Sequence, residues 1–280
     1  MNWLIEEFNR DNSFLDIKEE AVKQGHNVEI VEGVSIVYED ETYKKFPKGS
    51  CTVFLGSISA ARKLQRNSKL HGWVPNLWCN WNNYKCSTYY AYWGEHLFNQ
   101  DYTFIPVAEF ARKLDSFFDL TDRIFVRPDS GAKPFTGAIF EKRDFEGKSW
   151  DYLMSELNPY DLLVVSSIKP IEREWRVVCS GKEVITGSRY KTHGQVDYRG
   201  ELPEDVLQFA ENVIKTDWQP DPIYVLDICR SRNKLYLLEI GSFNVAGLYH
   251  CDFSKIVKTV VELAQKEHNE YYEVENGHMA

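Results

Sequence analysis

Two acidic residues, Asp227 and Glu239, sit in otherwise apolar runs, Tyr224-Val225-Leu226-Asp227-Ile228 and Tyr236-Leu237-Leu238-Glu239-Ile240. The polar segment between them, Arg230-Ser231-Arg232-Asn233-Lys234, has the composition of a hairpin turn. If that hairpin is symmetric about Asn233, the carboxylates oppose each other on one face with Cβ atoms roughly 5 Å apart. Like charges so placed in apolar surroundings repel and are poorly solvated unless a proton or cation lies between them. Magnesium suits such a pair, because it takes a few carboxylates together with phosphate oxygens and water. Asn244, just beyond in Gly241-Ser242-Phe243-Asn244, offers an amide oxygen as a further ligand. The competing account is that each carboxylate meets a basic neighbour such as an arginine.

Two further segments carry cations and exposed backbone. In Ile124-Phe125-Val126-Arg127-Pro128 a strand ends in Arg127. A loop of small residues then bears Lys133, and Thr136-Gly137 leads into Ala138-Ile139-Phe140. One cation at a strand end and another on the loop suit a polyphosphate. The loop is not a Walker A motif, since the Gly-Lys-Ser/Thr order and a following helix are both absent. Further on, Leu162-Leu163-Val164-Val165 runs out into Ser166-Ser167-Ile168-Lys169-Pro170, where the proline frees backbone groups for the edge of a purine. Glu174 and Arg176 open the next strand on one face with Trp175 on the other, and Arg189 and Lys191 add cations downstream. Taken singly, each segment equally fits a solvated edge.

The elements that must position these residues are alternating. Helical periodicity covers Phe14 to Gln24, and His26 to Val31 alternates as a strand. Thr52-Val53-Phe54-Leu55, then Gly56-Ser57, then Ile58 to Gln65 reads as a strand–turn–helix unit with backbone amides free at the helix start. Four of the eight tryptophans fall between Trp73 and Trp93, among Tyr84, Tyr89, Tyr90 and Tyr92. Such aromatics either stack on a planar ligand or pin a long irregular connection to the core; with no Lys/Arg run nearby, the second account is preferred. Val107 to Leu120 is helical. Strands follow at 123–127, 138–140, 162–166, 175–179, 183–186, 223–229 and 234–240, with helices at 205–215 and 253–266. From His268 onward the chain is polar and expected to fray.

Composition narrows the function classes. A net charge of −9 argues against nonspecific nucleic-acid binding. No apolar run reaches the length of a membrane span, and the first residues lack the features of a signal peptide, so a cytoplasmic location is expected. The six cysteines form no CxxC pair and read as free, mostly buried thiols.

In this order, Phe125-Val126-Arg127-Pro128-Asp129 with Lys133 and Phe135-Thr136-Gly137, Glu174-Trp175-Arg176, Gly187-Ser188-Arg189-Tyr190, Asp227, Glu239 and Asn244-Val245-Ala246-Gly247-Leu248-Tyr249 resemble an ATP-grasp domain. The likeness is to a divergent clade common in bacteriophages, which would make the host cytoplasm the location. It implies an α/β fold: a Rossmann-like domain over residues 1–120, an ATP-grasp domain of two α+β subdomains clasping ATP over 121–267, and a flexible tail, 268–280. It implies that Arg127 stands in for a phosphate-binding lysine and that Lys133 covers the phosphates. The segment Ser166, Ser167, Ile168 and Lys169 would read adenine, Glu174 would bind ribose, and Asp227 and Glu239 would bind Mg2+. Arg176, Arg189 and Lys191 become candidates for steadying the γ-phosphate, an acyl phosphate or an anionic substrate. Gly241 occupies the place of the family's second metal-motif asparagine, so Asn244 is the candidate replacement. The implied activity is carboxylate–amine ligation through an acyl phosphate, with a peptide, a protein or a modified nucleotide as acceptor. Two rivals are an ATP-binding assembly factor without ligation, as in a eukaryotic relative of the clade, and a phosphotransferase on a protein or nucleic acid.

Overall fold

The computed structural model describes residues 1–7, 13–32, 40–119, 121–146 and 157–277. The chain divides into two compact units that interleave in sequence. One comprises Met1–Cys79, Arg173–Ile228 and Glu239–Ala280; the other comprises Asn80–Glu172 and Cys229–Leu238. The expected boundary near residues 119–122 falls inside the second unit, and Leu120 itself lies outside the described residues.

The first unit opens with β1 (Asn2–Glu7), α1 (Ser13–Lys23), β2 (Asn27–Glu32), β3 (Cys51–Leu55), α2 (Ile58–Arg66), α3 (Ser68–His71) and β4 (Val74–Asn76). The strands form a parallel sheet in the order β2-β1-β3-β4, with Trp3 opposite Val53 and Ile5 opposite Leu55. Near-continuous burial of β1 and β3 is what a parallel sheet between other layers requires, and it explains why neither shows strict alternation. This is the Rossmann-like layout expected of the N-terminal region.

The second unit contains α4 (Cys86–Trp93), β5 (Thr103–Pro106), α5 (Val107–Arg112), α6 (Leu114–Phe117), β6 (Arg123–Pro128), β7 (Ala138–Glu141) and β8 (Leu162–Ser166). Its antiparallel sheet runs β5-β8-β6-β7. Ile105, Phe110, Ile124, Val126, Leu163 and Val165 pack into its core.

The chain then returns to the first unit with β9 (Arg173–Ser180), β10 (Glu183–Thr192), β11 (Gln195–Arg199), α7 (Glu204–Val213), β12 (Ile223–Ser231), β13 (Lys234–Ser242) and α8 (Phe253–Gly277). These five strands are ordered β11-β10-β9-β12-β13, with the tips of β12 and β13 belonging to the second unit. One core joins the two sheets of the first unit: Trp3, Ile5, Val53 and Leu55 cluster with Val178, Ile223, Val225, Phe243 and Val260.

The sequence ended the last helix at residue 266, but α8 runs to Gly277, leaving residues 278–280 outside the described residues. His268 and Tyr272 reach back to the Gly49 carbonyl, at 3.0 and 2.9 Å, and tie the polar extension down. The aromatic stretch is core rather than platform: Trp73, Trp78, Tyr84, Tyr89, Tyr90 and Trp93 are all buried. All six cysteines are free, and only Cys51 is not fully buried. Burial pushes the Cys79 and Cys251 thiols up to about 12, which keeps them unreactive. No described helix is long and apolar enough to cross a membrane.

Candidate functional site

In the second unit, β6 delivers Arg127 to its end, where the side chain is buried and Nη1 donates to the Tyr89 hydroxyl at 3.4 Å. The loop that follows is braced by α4. Asp129 accepts from the Ser87 amide at 2.8 Å and from its hydroxyl at 2.6 Å. A Cβ on Gly131 would lie 2.6 Å from the Trp81 carbonyl oxygen, so only glycine lets the loop lie this close. Gly137 is similarly constrained, 2.9 Å from Arg127 Cβ. Lys133 takes a left-handed φ of 46° on this loop.

The strand β8 ends at Ser166, and the next residues line a pocket of about 300 Å³ within the same unit. Ser167, Ile168 and Lys169 form one side, with Phe98, Asn99, Phe125, Ile139, Ile171 and Leu238 among the rest. Asp101 fixes this side: it accepts from the Ser167 amide at 3.1 Å and from the Lys169 ammonium. Burial alone would raise the Asp101 carboxyl, but the hydrogen bonds from Lys169 and Ser167 outweigh it and hold the group below its usual value.

The first unit gathers a second set. Arg176 binds Asp227 through Nε–Oδ1 and Nη2–Oδ2, both at 2.8 Å, while Nη1 donates to the Gly247 carbonyl at 2.6 Å. The guanidinium carbon lies 5.0 Å from the Tyr249 ring centre and 5.7 Å from that of Tyr190, and the two rings stack 4.8 Å apart. Burial opposes the charge on Arg176; the Asp227 carboxylate more than restores it. Glu174 accepts from the Tyr190 hydroxyl at 2.7 Å and pairs with Lys191 at 3.8 Å. Neighbours on a strand ordinarily point to opposite faces, yet Tyr190 and Lys191 both reach Glu174. A register shift between Arg189 and Lys191 breaks the alternation there. Burial first, then Asp227 and Glu174, raise the Tyr190 hydroxyl and keep it a donor. Arg189 turns instead to Asp197, at 2.7 Å.

Three expectations need correction. The β12–β13 loop is two residues, Arg232 and Asn233, at φ 48° and 62°, so its centre lies between them and not on Asn233. A regular ladder from this turn would place position 238 opposite Asp227 and turn Glu239 to the other face. Burial along β13 shifts phase, however, with Leu237 buried and then Ile240 and Ser242. One extra residue taken up there returns Glu239 to the parity of Asp227. Any opposition of the two acids therefore rests on a strand irregularity rather than on hairpin symmetry.

Second, Asn244 is fully buried with its amide committed. Its oxygen accepts from the Trp78 amide at 2.8 Å, and its nitrogen donates to the Phe54 carbonyl at 2.6 Å. That geometry gives it a structural role in place of a metal-binding one. Third, the amides at the β3–α2 turn are not free. Ser57 N–H and its hydroxyl donate to Glu6, and Gly56 N–H donates to the Asn244 carbonyl.

Arg127, Lys133 and the Ser166–Lys169 segment thus share the second unit. Glu174, Arg176, Arg189, Lys191, Asp227 and Glu239 share the first. Among the described residues no three His, Cys, Asp or Glu side chains gather as a metal cage. Asn99, Asp101 and Ser87 were missed from sequence, and no local motif marks them.

A family model described as an ATP-grasp domain, the second family of its clade, matches residues 107–259. No curated protein matches the chain. Among solved structures, the D-cycloserine synthetase DcsG is 12% identical with a TM-score of 0.61, over 94% of this chain and 100% of its own. A D-alanine–D-alanine ligase from Bacillus anthracis is 11% identical with a TM-score of 0.61, over 96% and 98%. The ATP-grasp ligase PsnB, complexed with minimal precursor, is 12% identical with a TM-score of 0.53, over 93% and 98%. At such identities the likeness is one of fold.

Proposed function

Because the chain belongs to this ATP-grasp family, we propose that it is an ATP-dependent ligase that activates a carboxylate as an acyl phosphate and passes it to an amine. The observation that carries this reading is the apolar pocket beside Ser167, Ile168 and Lys169, in the same unit as Arg127 and Lys133. A flat base fits the pocket, and two cations on the adjoining strand and loop suit its phosphates.

The residues take the following roles. Arg127, steadied by Tyr89, presents a planar fork to phosphate oxygens where a lysine would present a point charge. Lys133 adds a second cation from its braced loop. Glu174 accepts from ribose hydroxyls with the lone pairs that Tyr190 and Lys191 leave. The substrate carboxylate attacks the γ-phosphorus, the bond to the β-phosphate oxygen breaks, and ADP leaves. The amine then displaces phosphate from the acyl carbon. Arg189 and Lys191 are the cations proposed to hold the anionic intermediate, and this chain's part is positioning and charge neutralisation.

Magnesium would be held by Asp227 and Glu239, whose hard carboxylate oxygens suit it, with substrate oxygens and water completing the shell. When bound it neutralises phosphate charge. Asp227 would then divide its oxygens between the ion and Arg176. The structural neighbours include a ligase solved with a precursor peptide, PsnB, which supports a peptide-like acceptor.

The test is ADP release by purified protein given Mg-ATP and pooled acids and amines. Folded protein that binds ATP but releases no ADP with any pool would overturn ligation. Labelled γ-phosphate retained on the acceptor would turn the reading to phosphotransfer.

A further inference from the structure

Asn99 stands out among the residues lining the pocket of the second unit. It is only 7% exposed, and its amide finds no hydrogen-bond partner among the described residues. Buried amides are nearly always satisfied, and one that is not calls for a ligand or another explanation. The other polar side chains lining this pocket are already engaged. The Lys169 ammonium is held by Asp101, and the Ser167 hydroxyl accepts from Lys169 at 3.0 Å. Asn99 is also held in place from both sides along the chain. Phe98 N–H donates to the Leu237 carbonyl at 2.9 Å, and Asp101, two residues on, grips Ser167 and Lys169. An amide carried between two such anchors is preorganised.

Resting on the ATP reading above, we infer that Asn99 is the residue that selects adenine over other bases. Its oxygen accepts from the exocyclic N6 amine and its nitrogen donates to N7. An asparagine amide matches that donor–acceptor edge of adenine in two parallel hydrogen bonds. Guanine presents acceptors at both O6 and N7, so the amide oxygen would face a carbonyl oxygen. The backbone of Ile168 and Lys169 is left for the N1 side of the same ring, and Phe125, Ile139, Ile171 and Leu238 supply the apolar walls. Asn99 is thus a specificity residue, distinct from the cations proposed for the phosphates.

The experiment is equilibrium binding of ATP, 7-deaza-ATP and GTP, each with magnesium, to the full chain and to its Asn99→Leu and Asn99→Asp variants, with thermal melts to verify folding. The native chain should prefer ATP to 7-deaza-ATP and to GTP by about tenfold or more. Asn99→Leu should abolish the preference for ATP over 7-deaza-ATP. Asn99→Asp, which keeps the shape but points an acceptor at N7, should weaken ATP about tenfold and leave 7-deaza-ATP nearly unchanged. Equal binding of ATP and 7-deaza-ATP by the native chain overturns the inference without recourse to a variant. So does a uniform loss for all three nucleotides in Asn99→Asp, which would mark a packing role. A native chain that binds none of the three removes the ATP reading itself.

Discussion

Arg176 and Asp227 meet as a planar fork on a carboxylate, two hydrogen bonds of 2.8 Å each, with both side chains about nine-tenths buried. The acid most readily assigned to a metal is therefore already neutralised by a neighbour on an adjacent strand. Both accounts of Asp227, a cation or an arginine, bear on one residue, and the arginine is in place before any ion is considered. A buried pair of this kind adds little net stability, but breaking it strands a charge.

Removing one partner should accordingly cost more than removing both. Arg176→Ala is expected to lower the unfolding free energy by about 3–5 kcal/mol. The double variant Arg176→Met with Asp227→Leu should recover much of that loss while remaining inactive. Urea melts of the three proteins beside an ADP-release assay check this. Equal stability of the single and double variants would show that the pair carries no buried charge.

Asn244 offers a cleaner separation of structure from metal binding. Asn244→Ala leaves the Trp78 amide and the Phe54 carbonyl without partners. It should lower stability by about 1–3 kcal/mol. The magnesium concentration needed for half-maximal ATP binding should not move. A large rise in that concentration, with stability intact, would return Asn244 to the metal set.

The latch between Ser87 and Asp129 predicts an effect on nucleotide affinity at a distance from the nucleotide. Ser87→Ala removes the hydroxyl bond and keeps the amide bond. We expect a KM for ATP raised several-fold, in line with about 1 kcal/mol for one such bond. Cleavage in the 130–134 loop by a protease should also be faster. Unchanged proteolysis would mean the loop is held by other contacts.

The hinge of the pocket should respond to acid. The folded Asp101 carboxyl titrates below its ordinary value of 3.8. Its stabilising contribution is therefore fully present above that value and is lost as pH falls through the lower folded one. ATP binding by the native chain should weaken below about pH 4 more steeply than binding by Asp101→Asn, which has no proton to take up at that position. Parallel profiles would remove Asp101 from the hinge.

Much of this was legible in the chain itself. The apolar run 162–166 and the alternating runs at 223–229 and 234–240 mark strands because their periodicity and turn residues agree. The ends were less so: β9, β10, β12 and β13 all extend past the apolar positions, since ladder hydrogen bonds continue where side chains become polar. The helix α4 was read as irregular because Tyr and Trp are weak helix formers, and burial of Tyr89 and Trp93 outweighs that preference. The four-residue β5 is too short for any period to show. In the site, residues on strand ends were recoverable. Asn99 and Asp101 were not, because the partners of Asp101 lie some 66 residues away and nothing local signals the approach.

The single core that joins β1 and β3 to β9, β12 and α8 has a consequence for inheritance. The family signature begins at Val107 and ends at Thr259, inside a helix that continues to Gly277. A gene fragment trimmed to that signature would uncover Val178, Ile223 and Val225 by deleting Trp3, Ile5, Val53 and Leu55. The segment that descent marks as a module is thus not one that recombination could move alone. Its N-terminal companion has to travel with it.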